Sequence, residues 1–213
     1  MMTLRTTDQN VFFTSDWHWN HGQSFVWEKR GYASVQTHNE ALIKSMNDSV
    51  GQEDILFNLG DLVLNCSIEQ FESLISRIIC QNIYLMAGNH SNPHFKNIYK
   101  PIVQKLLGDN YTPESEVYPL RYKNVVYINH YMEISVNDQF IAMSHYPNLI
   151  WNHSGKGSWM LCGHSHSSCQ MTNSKSNYGK ILDVGFDEFK RPLTFQEVKK
   201  IMDIKIISAV DHH

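Results

Sequence analysis

Five short stretches gather acids, amides and imidazoles: Asp16-Trp17-His18, Gly60-Asp61, Gly88-Asn89-His90, Ser144-His145 and Gly163-His164-Ser165-His166. Each piece alone has a bland reading. Asp-x-His is common, Gly-Asp is a turn, and a lone histidine is usually just hydrogen-bonded. Together they offer two aspartates, one asparagine and four histidines as ligands, with His90 left over. Mixed carboxylate, amide and imidazole donors suit a pair of first-row divalent ions such as Mn, Fe, Co, Ni or Zn. A shared carboxylate would be needed to hold two cations ~3.5–4 Å apart. In Asp-x-His and His-x-His, residues i and i+2 of an extended segment point to the same side, so both members of each pair are expected to reach one site.

The elements that must carry these groups are legible from periodicity. "VFFTS" (Val11–Ser15) reads as a buried strand ending at Asp16. "DILFNL" (Asp54–Leu59) is a second strand running into Gly60-Asp61, and "NIYLMAG" a third, stopping at Gly88. Between them, Ala41–Val50 has helical spacing, and "SIEQFESLISRIIC" opens a helix with the capping box Ser67/Gln70. This alternation argues for an α/β arrangement with ligands at the carboxyl ends of strands. Further along, "VVYINHYMEISV" and "QFIAMSH" read as a β-hairpin around "NDQ". "SWMLCGH" and "KILDVGF" follow as strands, and Thr194 with Glu197 caps a last helix near Phe195–Met202. The sum is a mixed sheet or two-sheet sandwich flanked by helices. No repeat or linker divides the chain, so a single domain over 1–213 is expected, with its core at 11–205 and polar termini.

Bulk properties exclude several classes. The 213 residues are 42% hydrophobic and 18% charged, a globular rather than a disordered composition. A net charge of −3 argues against a broad grip on extended nucleic acid. No apolar run approaches the ~20 residues of a membrane span. The polar N-terminus carries no signal-peptide pattern. The four cysteines form no CxxC pair, so free thiols in a reducing cytoplasm are expected.

The order "DWH … GD … GNH … H … GHSH" resembles the calcineurin-like metallophosphoesterase superfamily, and the likeness spans residues 11–189. The opening "SDWHWNH" and the close "ILDVGFDEFKRPLTFQEV" are most similar to its small bacterial and phage members. The resemblance implies a two-sheet αββα sandwich with a dinuclear site at the strand ends. Carried over by position, Asp16, His18 and His166 bind one divalent ion and Asn89, His145 and His164 the other, with Asp61 bridging. Manganese is the expected metal, with Fe, Co, Ni or Zn as alternatives. His90 sits beside the metals as a catalytic residue, with Asn89 helping to neutralise the phosphoryl oxygens. Many relatives follow GNH with an acidic residue that orients the histidine, where this chain has Ser91.

The implied activity is hydrolysis of phosphate esters by a metal-bridging hydroxide, with a phosphodiesterase favoured because no segment is long enough to be a cap domain. The alternatives are a phosphomonoesterase, or a nuclease acting on short oligonucleotides. A non-catalytic scaffold would have lost ligands, whereas every ligand position here is filled. His21 either reaches the substrate phosphate or braces its loop. Arg30 and Arg191 either grip phosphate or are ordinary solvated charge. Trp17, Trp19, Phe25 and Trp27 either stack on a nucleotide base or belong to the core, and His94 and His153 either line the cleft or lie on the surface. The expected partner is a phosphate ester, with a nucleotide as one candidate. The oligomeric state is left open.

Overall fold

The computed structural model describes residues 2–4, 10–90 and 95–207. Ser91, His94, His212 and His213 lie outside them. Two sheets stack face to face. One holds six strands in the order β11-β2-β3-β4-β6-β5, the other five in the order β1-β7-β8-β9-β10. In the first, β2 (Val11–Thr14), β3 (Ile55–Asn58), β4 (Asn82–Leu85) and β6 (Val125–Tyr127) run parallel. The antiparallel strands β5 (Leu120–Tyr122) and β11 (Leu193–Thr194) form its edges. In the second, β1 (Met2–Leu4) pairs parallel with β7 (Tyr131–Val136). β8 (Gln139–Ser144), β9 (Trp159–Cys162) and β10 (Ile181–Asp183) complete it.

Strands β2 and β3 are apolar at nearly every position because both of their faces are covered. Val11, Phe13, Ile55, Phe57 and Val126 meet Ile134, Ile141, Met143, Trp159 and Leu182 of the five-stranded sheet. The alternate residues Phe12, Leu56, Ile83 and Val125 face the helices α2 (Val35–Ser49) and α3 (Ile68–Ser76). The outer face of the five-stranded sheet is covered more thinly. There Ala142, Met160, Cys162 and Ile181 pack with Trp151 of the loop after β8. The chain therefore folds as the expected αββα sandwich, with one outer layer of substantial helices and the other largely of loop.

Two readings need correction. "VVYINHYMEISV" is not one hairpin arm: Val125–Tyr127 pairs with β4 in one sheet and Tyr131–Val136 with β8 in the other. The Ile128 N–H still reaches the Leu85 carbonyl before the chain crosses over. An apolar run records burial but not the change of partner. The hairpin itself turns on Asn137 and Asp138, both at positive φ, the signature of a two-residue turn matched to strand twist. The N-terminus is also less detached than its polarity suggests, since Met2 and Leu4 pack on the core between the sheets.

Among the described residues, all three helix starts with a Ser or Thr cap form reciprocal capping boxes: Ser34/Thr37, Ser67/Gln70 and Thr194/Glu197. At α3 the Ser67 Oγ accepts from the Gln70 N–H while Gln70 returns a bond to the Ser67 N–H. The helix buries Phe71, Leu74 and Ile75 along one stripe. Ser67→Ala is expected to cost about 1 kcal/mol in urea unfolding, because a terminal N–H loses its acceptor while the buried stripe is untouched.

Candidate metal centre

The five polar stretches converge where the strands end. The loops that carry them are zipped together through their main chains: the Asp16 N–H donates to the Gly60 carbonyl (3.1 Å), His18 to Asp61 (2.9 Å) and Gly163 to His145 (3.0 Å). Five of the seven candidate ligands, Asp16, His18, Asp61, His164 and His166, have left-handed backbone, with φ from 47° to 69°. The extended geometry expected for Asp-x-His and His-x-His is therefore overturned. Each loop bends back at its ligands, which still share one site. Left-handed Asp and His are tolerated more readily than β-branched residues, but they persist only where surrounding bonds over-determine them. Glycine supplies the room. A Cβ on Gly88 would stand 2.0 Å from Asp61 Oδ1, and one on Gly163 2.4 Å from Asp16 Oδ2.

Both aspartates are buried and both divide their oxygens in the same way. Asp16 Oδ2 accepts the His164 main-chain N–H (2.9 Å), and Asp61 Oδ1 accepts that of His90 (3.0 Å). Their other oxygens, Asp16 Oδ1 and Asp61 Oδ2, are buried with no hydrogen-bond partner among the described residues. Those oxygens face imidazole nitrogens. His18 Nε2 lies 4.0 Å from each, His166 Nε2 3.9 Å from Asp16 Oδ1, and His145 Nε2 3.5 Å from Asp61 Oδ2. Asn89 Oδ1 lies 2.6 Å from His145 Nε2 and 2.8 Å from His164 Nδ1, bringing the second predicted set together. Two groupings, Asp16/His18/His166 and Asp16/Asp61/His145, have ligand atoms within 4.8 Å of one another. Such acceptors, deprived of donors and held together, fit divalent cations.

Electrostatics agrees with that fit. Burial raises the Asp16 carboxyl to about 7, Asp183 and Asp61 adding to the effect while His166 opposes it. Burial likewise pushes His18 well below its ordinary value and lowers His145, keeping both imidazoles neutral with lone pairs to offer. In His145 and His166 the outer ring nitrogen is fixed by an acceptor. His145 Nδ1 donates to the Leu59 carbonyl (2.9 Å), and His166 Nδ1 to Asp187 Oδ2 (2.6 Å), so each Nε2 points inward, that of the neutral His145 ring as an acceptor. Burial alone would lower His166, but its bond to Asp187 and the charge of Asp16 outweigh it and raise the net value.

The remaining candidates separate. His90 is exposed, its ring 5.3 Å from that of His18. His21 is buried, 5.6 Å from His18 and 6.4 Å from His90; its Nδ1 accepts from the Gln23 N–H, leaving Nε2 as the donor of a neutral ring. Burial lowers its pKa, which favours that neutral form. Arg30 does not face substrate: its side chain is 1% exposed and ion-paired to Asp187. Arg191 is paired to Glu197, and His153 packs on Phe140, at the opposite end of β8 from His145. Trp17 is core, Trp19 and Trp27 are half-buried, and Phe25 is exposed with its ring against His21. The sequence reading missed Asp183 and Asp187. Asp183 is fully buried and accepts from Ser165 Oγ (2.6 Å) and from the Ser167 and Gly185 N–H groups, organising the Gly163–Ser167 turn. The available signal was an acid at the end of an apolar strand, "ILD", where a solvent-facing role is least natural.

Comparison with known proteins places this geometry. The chain matches the family model of calcineurin-like phosphoesterases over residues 10–168. It is 26% identical to the Gene 66 protein of Mycobacterium phage D29 over 91% of this chain and 96% of that one. It is 29% identical to the uncharacterized protein MJ1445 of Methanocaldococcus jannaschii, over 38% of this chain and 47% of that protein's length. A crystal structure of the Aquifex aeolicus protein AQ665, of unknown function, superimposes with a TM-score of 0.59 at 15% identity, covering 91% of this chain and all of that one. With the family model covering most of its length and the ligand types converging at its strand ends, the chain belongs to the calcineurin-like phosphoesterases, metal-dependent hydrolases of phosphate esters.

Proposed function

We propose that the chain is a single catalytic domain hydrolysing phosphodiesters at a dinuclear centre. Asp16, His18 and His166 hold one ion, Asn89, His145 and His164 the other, and Asp61 serves both. The observation that carries this is the pair of buried carboxylate oxygens without donors, each facing imidazole nitrogens at 3.5–4.0 Å. Two divalent ions held there would lower the pKa of shared water toward neutrality and draw charge from the phosphoryl oxygens. Oxygen and nitrogen donors without thiolate favour manganese over softer ions. The four unpaired cysteines support a reducing, cytoplasmic setting.

The protein's own groups then orient and protonate. Asn89, exposed at the rim, aims its Oδ1 at the second ligand set and leaves its NH₂ for a phosphoryl oxygen. His90, exposed beside His18, donates a proton to the departing oxygen. His21, through Nε2–H, supports the phosphate from the His18 side. Because Asn89 and His90 open to solvent, a second ester substituent is accommodated, which favours a diester over a monoester.

Two exposed aromatics support a nucleotide substrate. Tyr146, 51% exposed, lies 4.5 Å from the His164 ring, and Phe25, 66% exposed, lies 5.6 Å from that of His21. They stand at the two ends of a contact row running His21, His18, Asp61, His145, His164. Beyond Tyr146, Pro147, Leu149, Trp151 and Tyr178 line a recess of about 140 Å³. The net charge of −3 favours a short substrate over a long polyanion.

In Mn²⁺, initial rates are expected to be faster on bis-p-nitrophenyl phosphate than on p-nitrophenyl phosphate, and Asp61→Asn is expected to abolish both. Monoester preference would overturn the diesterase reading, and metal-independent turnover the dinuclear one. Tyr146→Ala is expected to raise the KM of a dinucleoside monophosphate about tenfold, as loss of ~1–3 kcal/mol of stacking on one base predicts. It should leave the KM of a diester without rings unchanged.

A further inference from the structure

Arg30, read from the sequence as either a grip on phosphate or ordinary solvated charge, is neither: its side chain is buried beneath the site and fully engaged. Its Nε donates to Asp187 Oδ1 (3.0 Å) and its Nη2 to Asp187 Oδ2 (2.7 Å), a two-pronged pairing. Nη2 also donates to the Asp16 carbonyl (2.6 Å), and Nη1 to the Trp17 carbonyl (2.8 Å) and His38 Nε2 (3.0 Å). Burial and the neighbouring guanidinium push His38 down to about 4, so that ring is neutral and its Nε2 accepts. All five N–H donors of the guanidinium are thus matched to acceptors, and none remains for a phosphate. Asp187 is equally committed, since Oδ2 takes the Nδ1–H of His166 as well as Arg30.

We propose that Arg30 and Asp187 form a positioning clamp that fixes His166 and the Asp16–His18 turn in the geometry one metal ion requires. The inference rests on the dinuclear reading above. The clamp joins residues remote in sequence: the turn after β2, the end of the Ser24–Lys29 helix, α2 through His38, the His164–His166 turn and the segment after β10. Asp187 sets the tautomer and ring orientation of His166, because a carboxylate at Nδ1 forces the lone pair onto Nε2. Arg30 acts on the other ligand loop through the carbonyls of Asp16 and Trp17. Those bonds brace a turn whose Asp16 and His18 both have left-handed backbone. Only a planar, many-donor cation can do both; a lysine at this position would keep the charge and lose most of the bonds. The guanidinium also lies 5.2 Å from the centre of the Phe186 ring, which packs against Trp17, so the clamp is walled by apolar groups. Buried there, the guanidinium is tolerated only because it is fully paired.

The test is Mn²⁺ binding by equilibrium dialysis with metal analysis, with circular dichroism as the check of folding. The wild-type chain is expected to bind two ions. Asp187→Asn keeps the volume but not the charge; it is expected to remain folded and to lose affinity for one ion by about 10–100-fold. Excess Mn²⁺ should then restore kcat on bis-p-nitrophenyl phosphate, with KM unchanged. A merely structural role would lower the unfolding temperature and leave Mn²⁺ affinity alone; that result overturns the clamp. If Asp187→Asn does not fold, Arg30→Lys is measured in the same way, and wild-type affinity in it overturns the clamp. A wild-type chain that binds no ion overturns the metal centre itself and the clamp with it.

Discussion

Everything in this structure turns on two buried carboxylates that are each half satisfied. Asp16 and Asp61 give one oxygen to a main-chain N–H of a neighbouring ligand loop and leave the other without a donor. A buried acceptor left unpaired is costly, and a buried carboxylate more so. The surroundings do not relieve that cost; the nitrogens facing those oxygens belong to imidazoles that burial keeps neutral, and His145, with its Nδ1–H given to Leu59, turns its Nε2 lone pair toward Asp61. The arrangement makes physical sense only with positive charge between them. Divalent ions of the kind calcineurin-like phosphoesterases bind would supply it, and binding them would then add to the stability of the folded state.

Holding such a cluster requires a frame that does not yield. The parallel strands β2, β3 and β4 end side by side, which places the Asp16, Asp61 and Asn89 loops next to one another without any long connection. The five-stranded sheet brings in His145 after β8 and the His164–His166 turn after β9. Neither sheet alone carries both sets of candidate ligands. The apolar interface between them, from Phe13 and Phe57 to Met143 and Leu161, therefore sets the distance across the site. Tight packing of that interface transmits position better than a loop could. Left-handed backbone at five candidate ligands is the local cost, offset by the loop-to-loop main-chain bonds.

The sequence made the frame and the ligand types legible for different reasons. Buried parallel strands write continuous apolar runs, and "VFFTS", "DILFNL" and "NIYLMAG" match their strands to within three residues at each end. Capping boxes are local, so Ser67/Gln70 and Thr194/Glu197 could be read directly. What failed was non-local. The break in "VVYINHYMEISV" depends on which sheet offers an edge, and the left-handed turns at Asp16 and His166 depend on bonds to loops far away in sequence. Arg30 failed for the same reason. Its partner Asp187 lies 157 residues along the chain, so nothing near "WEKRGY" says that the guanidinium is already occupied.

This contrast also explains why chemistry is easier to read here than specificity. Residues that meet the metals must be of a few types, at strand ends, beside small residues such as Gly88 and Gly163 that allow close approach. Those constraints leave a dense signature in the chain. Tyr146 and Phe25, proposed above to meet the ester substituents, are exposed aromatics on segments outside the sheets, each resting against histidines of the site and otherwise open to solvent. A stacking platform needs only a flat face within reach of the phosphate, a requirement that many loop sequences satisfy. On the proposed reading, the buried half of the site fixes what bond is broken, while the exposed half, free to vary without disturbing the core, selects whose bond it is.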